Sequence, residues 1–106
     1  MVKEIAESSV KSEWVTVYAR VSSSEYRDNL DSQATRLVDF CNAKGWSVRE
    51  VIKECASGLN DKRPKLQKIL SERKATKIVC EHSDRLTRFG LNYIKLLYPG
   101  EIVIVN

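Results

Sequence analysis

The chain has 106 residues, 42% of them hydrophobic and 30% charged, a balance that predicts one small folded domain rather than a disordered segment. It has no run of about 18 apolar residues and no apolar stretch after Met1, which argues against a membrane span and a signal peptide. Three widely spaced cysteines argue against a disulfide framework or a zinc site and indicate reduced thiols. The net charge of +4 is compatible with a nucleic-acid partner.

The first half of the chain predicts a tail, a strand and a helix. Residues 1–13 are polar and indicate a linker or a tail. Aromatic and β-branched residues over 14–20 predict a strand, and the serines and charges of 21–29 predict a loop. From Leu30 onward, apolar residues recur at helical spacing, and Gly45 is suited to the end of that helix.

The second half continues the alternation of strands and helices. The predicted elements are a strand over 46–54, a loop over 55–63, a helix beginning at Pro64, a strand over 77–81, a loop with a short helix over 84–88, a helix over 91–97 and a strand over 101–105. This order predicts an α/β fold with a mostly parallel four-stranded sheet flanked by helices. Sites in such folds lie beyond the carboxyl ends of the strands. Ser22, Ser57 and Asp84 each follow a predicted strand, so we expect them at one end of the sheet.

The residue types at these strand ends are suited to phosphoryl transfer. A serine hydroxyl such as that of Ser22 needs a base or a positive field before it acts as a nucleophile. Arg20 lies two residues earlier, on the same face of an extended strand. Arg85 and Arg88 share one face of a helical turn, and Asp84 can cap that turn. Arginine binds phosphate oxygens through a planar fork of donors.

Each of these residues also has a structural interpretation. Ser22 can be a loop serine or a helix cap, and Ser57 can belong to a turn. Arg85 and Arg88 can form a solvated helix face. Gln33 lies among apolar helix positions and can be a packing residue with one hydrogen bond. Cys80 is expected in the core, His82 in a loop, and Trp14 and Trp46 in packing contacts.

Four short segments together match a known family. They are Tyr18-Ala19-Arg20-Val21-Ser22-Ser23, Leu30-Asp31-Ser32-Gln33, Ala56-Ser57-Gly58 with Arg63 and Leu66, and Asp84-Arg85-Leu86-Thr87-Arg88-Phe89-Gly90. In this order the chain resembles the catalytic domain of the serine recombinases, the resolvase and invertase superfamily, from about residue 15 to residue 106. It is most similar to the subgroup encoded by small insertion sequences. The loop between Ser22 and Leu30 is longer than the family pattern.

The resemblance implies a role for each matching residue. Ser22 would be the nucleophile that joins to a DNA 5′ phosphate. Polar and charged partners would complete the site: Arg20, Arg63, Arg85 and Arg88 on the scissile phosphate, with Gln33, Ser57 and Asp84 in support. The family's chemistry uses no metal or nucleotide cofactor. The implied activity is DNA cleavage and rejoining by a recombinase or transposase that moves a mobile element.

The resemblance also implies how this chain relates to a longer protein. Residues 1–13 would be a linker or tail and 14–106 a catalytic domain, without the DNA-binding domain that precedes it in the subgroup and without the assembly helix that follows. The full-length protein would be a homodimer or homotetramer acting on DNA at transposon ends or a target site, in the cytoplasm of a prokaryote. Two other classes stay open: a non-catalytic α/β assembly module, and a hydrolase of small phosphoesters on a similar sheet.

Overall fold

Four strands and three helices alternate along the described part of the chain. The computed structural model of the protein describes residues 13–22, 27–56, 63–82 and 91–105. The elements are β1 (Val15–Val21), α1 (Arg27–Ala43), β2 (Val48–Cys55), α2 (Pro64–Glu72), β3 (Lys77–Cys80), α3 (Leu91–Leu97) and β4 (Glu101–Ile104). In these ranges, no helix combines the length and the apolar character needed to cross a bilayer.

The strands form one parallel sheet in the order β2-β1-β3-β4. The predicted α/β fold is therefore confirmed, with every described strand pair parallel. All seven residues of β1 are buried, because β1 has a neighbour on each side and a packed layer on each face. Fully buried parallel strands lack the alternation of half-exposed ones, which explains the dense apolar sequence of β1.

Two hydrophobic clusters cover the two faces of the sheet. On one face, Val17 and Ala19 of β1 pack with Leu37 and Cys41 of α1. On the other face, a second cluster joins Tyr18 of β1 to α2, to β3 and to the segments that precede β3 and β4. Its other buried members are Leu66, Ile69, Ala75, Ile78, Cys80 and Tyr98. Alternate residues of β1 thus serve opposite layers, and Cys80 is a core residue as predicted.

Helix α1 begins earlier than predicted. Its first residue is Arg27, whereas apolar spacing placed the start at Leu30. The first turn is polar and contains Asp28, which is favourable at the positive end of the helix dipole. A polar turn does not contribute to apolar spacing, so the spacing did not predict it. Strand β1 also extends to Val21, so the predicted loop over 21–29 is shorter at both ends.

The end of α1 explains why β2 starts later than predicted. Gly45 has a φ of 79°, and its N–H donates to the carbonyl of Asn42 at 3.0 Å. The N–H of Trp46 reaches back to the carbonyl of Cys41 at 2.9 Å. These two bonds form a Schellman motif, in which glycine takes the left-handed position. Trp46 therefore belongs to the helix end, and the strand predicted over 46–54 begins at Val48.

Candidate active site at the carboxyl end of the sheet

Ser22 lies directly after the central strand. It is exposed, in a bend that follows the last residue of β1. Because β1 is flanked by β2 and β3, Ser22 emerges between the ends of two neighbouring strands. This is the position at which parallel α/β sheets present their sites, and the exposed hydroxyl is accessible to a molecule approaching from outside.

Arg20 is buried beneath this position, with 4% of its surface exposed. Its Nη1 donates to the carbonyl of Ala56 at 2.6 Å, and the N–H of Ala56 donates to the carbonyl of Val21 at 2.9 Å. These bonds hold the guanidinium between the carboxyl ends of β1 and β2. The sequence predicted that Arg20 and Ser22 lie on the same face of one strand. Ser22 instead lies beyond the end of β1 and is exposed, whereas Arg20 is buried.

Gln33 of α1 holds the backbone of Arg20. Its Oε1 accepts from the N–H of Arg20 at 3.1 Å, and its Nε2 donates to the carbonyl of Arg20 at 3.1 Å. Gln33 is 2% exposed, so a buried side-chain amide is satisfied by both polar groups of one residue. Gln33 is therefore a buried packing residue, as one interpretation of the sequence had it, but it forms two hydrogen bonds and not one. Its contact supports the residue two positions before Ser22, directly before the last residue of β1.

Glu54 joins β1 to the start of α2. Its Oε1 accepts from the Tyr18 hydroxyl at 2.7 Å and from the N–H of Leu66 at 3.1 Å, while its Oε2 accepts from the N–H of Lys65 at 2.9 Å. Arg63, at the N-cap position of α2, provides no side-chain cap. A carboxylate from β2 therefore satisfies two of the free N–H groups at this helix start, where the helix dipole favours negative charge.

Tyr18, Glu54 and Arg63 form a buried polar cluster. Tyr18 is fully buried, and Glu54 and Arg63 are each 4% exposed. The pKa of Tyr18 is raised well above its ordinary value, mainly by burial and further by its hydrogen bond to Glu54 and the charge of that residue. Arg63 acts in the opposite direction through its own hydrogen bond and positive charge. The arrangement holds a second guanidinium close to the sheet end that carries Arg20.

Four predicted site residues lie outside the described residues: Ser57, Asp84, Arg85 and Arg88. The described chain does fix where their segments begin. Ala56 precedes Ser57 at the end of β2, and His82 precedes the other three after the end of β3. Both segments therefore leave the same end of the sheet as Ser22. In the ranges that the structure describes, no group of three or more His, Cys, Asp or Glu side chains is placed to hold a metal ion.

The structure adds Tyr18 and Glu54 to the candidate site. Neither was singled out as a site residue in the sequence, where the one available signal concerned Tyr18. Tyr18 lies two residues before Arg20 in the same strand. Glu54 occupies a buried position in β2, a strand whose burial otherwise alternates between exposed and half-buried residues. A carboxylate at such a position requires partners.

The two tryptophans lie at the other end of the strands and make packing contacts, as predicted. Trp14 is partly buried in the second cluster, with the guanidinium of Arg49 4.3 Å from its ring centre. Trp46 packs edge-on against Phe40 with ring centres 5.9 Å apart, and the ammonium of Lys77 lies 5.1 Å from the Trp46 ring.

Known proteins are similar to this chain in both sequence and fold. The family described as "Resolvase, N terminal domain" matches residues 15–98. The C-terminal catalytic domain of ISC1926 TnpA, an IS607-like serine recombinase, has a TM-score of 0.79 at 39% identity, covering 88% of this chain and 67% of that one. The corresponding domain of IS1535 TnpA, also IS607-like, has a TM-score of 0.78 at 41% identity, covering 85% and 69%.

Fold and sequence together define a serine recombinase catalytic domain. The chain belongs to the resolvase family, within the serine recombinase superfamily and its transposase subgroup. The R771 protein of Acanthamoeba polyphaga mimivirus, named as a resolvase, is 35% identical over 96 residues, covering 84% of this chain and 48% of that protein. The chain thus spans about half the length of that curated relative.

Proposed function

We propose that this chain is the catalytic domain of a site-specific recombinase or transposase that cuts and rejoins DNA through a phosphoserine intermediate, and so moves a mobile element. One observation carries the proposal: two arginines, Arg20 and Arg63, are buried at the sheet end where an exposed serine emerges. Buried guanidiniums are costly to desolvate. Both arginines already have protein partners, and a phosphate ligand would add charge-assisted hydrogen bonds, because arginine is well matched to its oxygens.

The proposed reaction is a transesterification. The Ser22 Oγ attacks the scissile phosphorus and forms a new O–P bond, and its proton leaves to a base or to water. The bond from phosphorus to the DNA 3′ oxygen breaks, and that oxygen keeps the electron pair and takes up a proton. The 5′ phosphate remains on Ser22 as a diester, so the reverse attack by a 3′ hydroxyl rejoins DNA without a nucleotide cofactor.

Each proposed site residue has a part in this reaction. Arg20 and Arg63 would stabilise negative charge on the phosphate oxygens, together with Arg85 and Arg88. Asp84 would orient an arginine of its own segment. Gln33 would fix the backbone of Arg20, which it already contacts, and Ser57 would support the phosphate from the end of β2.

The proposal extends to the whole protein. Residues 14–106 would be its catalytic domain and 1–13 a linker or tail. A DNA-binding domain and an assembly helix elsewhere in the full-length protein would provide site recognition and a homodimer or homotetramer on transposon ends or a target site. Such a protein works in the cytoplasm of a prokaryote, at the nucleoid.

Covalent trapping of DNA tests the proposal. A duplex carrying an end of the element, nicked near the cleavage position, should form a protease-sensitive protein–DNA adduct with the wild-type protein and none with Ser22→Ala. Ser32→Ala, which removes an exposed serine on α1, is the matched control and should form the adduct normally. DNA binding should be nearly the same in all three proteins, because phosphate contacts dominate affinity.

The other outcomes identify the alternatives. A folded wild-type protein that binds the duplex but forms no adduct would indicate a non-catalytic assembly module. Turnover of a small phosphoester without DNA would indicate a hydrolase. An adduct that persists in Ser22→Ala would move the nucleophile elsewhere, first to Ser23.

A further inference from the structure

Helix α1 contacts the carboxyl ends of two adjacent strands with two polar side chains. Gln33 holds the backbone of Arg20 near the end of β1. Arg36, three residues later and so on a neighbouring part of the same helix surface, reaches Glu81, the first residue after β3. The two contacts place one rigid helix against both strand ends.

The contact between Arg36 and Glu81 has the geometry of a specific ion pair. Nε of Arg36 donates to Oε2 of Glu81 at 2.8 Å, and Nη2 donates to Oε1 at 3.1 Å. This two-point arrangement fixes orientation as well as distance. The Glu81 side chain is only 14% exposed, whereas that of Arg36 is 58% exposed. A partly buried bidentate pair is the exception to the rule that surface salt bridges contribute little.

The Arg36–Glu81 pair lies close in sequence to segments that the proposed reaction uses. The chain continues from Glu81 through His82 to Asp84 and Arg85 within four residues. On β1, the nucleophile Ser22 follows Arg20 by two residues. The residues that α1 contacts therefore lie two positions before the proposed nucleophile on β1 and three positions before Asp84, which begins the proposed phosphate-binding segment after β3.

We propose that the Arg36–Glu81 pair is a positioning element for the reaction, which sets the end of β3 relative to the end of β1. This inference rests on the proposed function. The pair touches neither Ser22 nor the scissile phosphate in the proposed chemistry, so Arg36 and Glu81 are positioning residues. Small displacements of reacting groups cost large factors in rate, so loss of the pair should affect catalysis more than folding.

The chain offers a matched control on the same helix. Asp31 of α1 pairs with Lys53 of β2 at 2.9 Å, with side chains that are 63% and 45% exposed. Asp31→Asn breaks this exposed pair and leaves the end of β3 untouched. Arg36→Gln and Glu81→Gln each break the Arg36–Glu81 ion pair. Glu81→Gln keeps the side-chain size, and Arg36→Gln keeps a polar side chain.

Three measurements on these variants test the inference. At saturating nicked duplex, Arg36→Gln and Glu81→Gln should each slow adduct formation roughly ten- to a hundredfold. The double variant should be no slower than the worse single, since both remove one interaction. The Kd for the duplex and the thermal midpoint should change no more than in Asp31→Asn. A rate equal to that of Asp31→Asn, or a fall in rate that only follows the thermal midpoint, would overturn the inference. So would a weaker Kd with a reduced salt dependence in Arg36→Gln, which would make Arg36 a direct phosphate contact.

A measurement without DNA keeps this inference separate from the proposed function. Amide hydrogen exchange at Glu81 and His82 should be at least tenfold faster in Arg36→Gln than in wild type, with Asp31→Asn unchanged and Val79 in the core of β3 unchanged in all variants. Unaltered exchange at Glu81 and His82 would contradict positioning by the pair. A wild-type protein that forms no adduct, with faster exchange in Arg36→Gln, would overturn the proposed function and leave the structural contact established.

Discussion

The two ends of the parallel sheet are built from different interactions. At the carboxyl end, the buried side chains include two guanidiniums and a carboxylate, from Arg20, Arg63 and Glu54. At the amino end, charged pairs such as Lys77 with Glu13 at 2.6 Å lie at the surface, and neutral groups make the more buried long-range hydrogen bonds. The N–H of Trp14 donates to the Thr76 hydroxyl at 2.8 Å, and that hydroxyl donates to the carbonyl of Trp14 at 3.1 Å. The Tyr98 hydroxyl donates to the carbonyl of Ala75 at 2.8 Å.

This difference separates what folding requires from what chemistry requires. Beneath the surface of the amino end, neutral hydrogen bonds and packing make the contacts, and only the indole Nε1 of Trp14 is buried without a partner among the described side chains. Charged groups at the carboxyl end are buried at a desolvation cost that well-packed apolar residues would avoid. The bonds of Glu54 to Tyr18 and to the start of α2 account for its charge, and a site that binds a phosphate accounts for the two arginines.

The largest effect should follow substitution of the buried arginines. Arg20→Lys and Arg63→Lys keep the charge but lose the planar fork, so each should slow adduct formation on the order of a thousandfold. We expect the same of Arg85→Lys and Arg88→Lys. Arg49→Lys is the control at the amino end, where a lysine can still lie over the ring of Trp14, and its rate should equal that of wild type. Near-normal rates for Arg20→Lys and Arg63→Lys would remove the chemical difference between the two ends.

The second effect concerns stability. Glu54→Ala leaves the Tyr18 hydroxyl and two N–H groups of α2 without their acceptor. We expect a loss of about 3 kcal/mol in the free energy of unfolding. Thr76→Val removes neutral hydrogen bonds at the amino end and should cost about 1 kcal/mol. Urea denaturation measures the stability loss of each variant. Equal losses would contradict the distinction between buried charged contacts at the carboxyl end and buried neutral contacts at the amino end.

The sequence predicted the sheet better than the polar contacts within it. Apolar spacing and glycine position placed every described strand and helix to within a few residues, because burial and helix ends depend on local patterns. The errors lie where the apolar pattern gives no information, as at the polar first turn of α1. The bonds of Gln33 and Glu54 were out of reach, because their partners are 11 to 36 residues away in the chain. Such pairs depend on the register of β1 with β2 and on how the helices dock.

A pair of glycines tests how tightly the amino end is packed. A Cβ on Gly100 would lie 2.6 Å from the carbonyl oxygen of Ala75 and 2.8 Å from that of Thr76. Backbone atoms yield little, so Gly100→Ala should cost about 2 kcal/mol. A Cβ on Gly45 would meet open space, but the φ of Gly45 is 79°. Gly45→Ala should therefore lower the free energy of unfolding by only about 1 kcal/mol. Thermal unfolding ranks the two variants, and the reverse order would show that the Gly100 turn relaxes.

The smallest effect, and the most specific to the carboxyl end, is the pH dependence of Tyr18. Its pKa is raised in the folded protein by burial and by Glu54, whereas a tyrosine in the unfolded chain ionises at about pH 10. Below that pH both states are protonated, and the Tyr18 hydrogen bond contributes its full stability, which Tyr18→Phe should reduce by about 1 kcal/mol.

Above pH 10 the unfolded state loses its Tyr18 proton while the folded state keeps it, so the wild-type free energy of unfolding falls as pH rises. Tyr18→Phe lacks this contribution, so its stability should approach that of wild type as pH rises beyond 10. Burial also raises the pKa of Tyr98, but Tyr98 is present in both proteins and its effect cancels in the difference. Urea denaturation at pH 8 and at pH 11 gives that difference directly. A constant gap at the two pH values would mean that Glu54 and burial do not hold the Tyr18 proton in the folded protein.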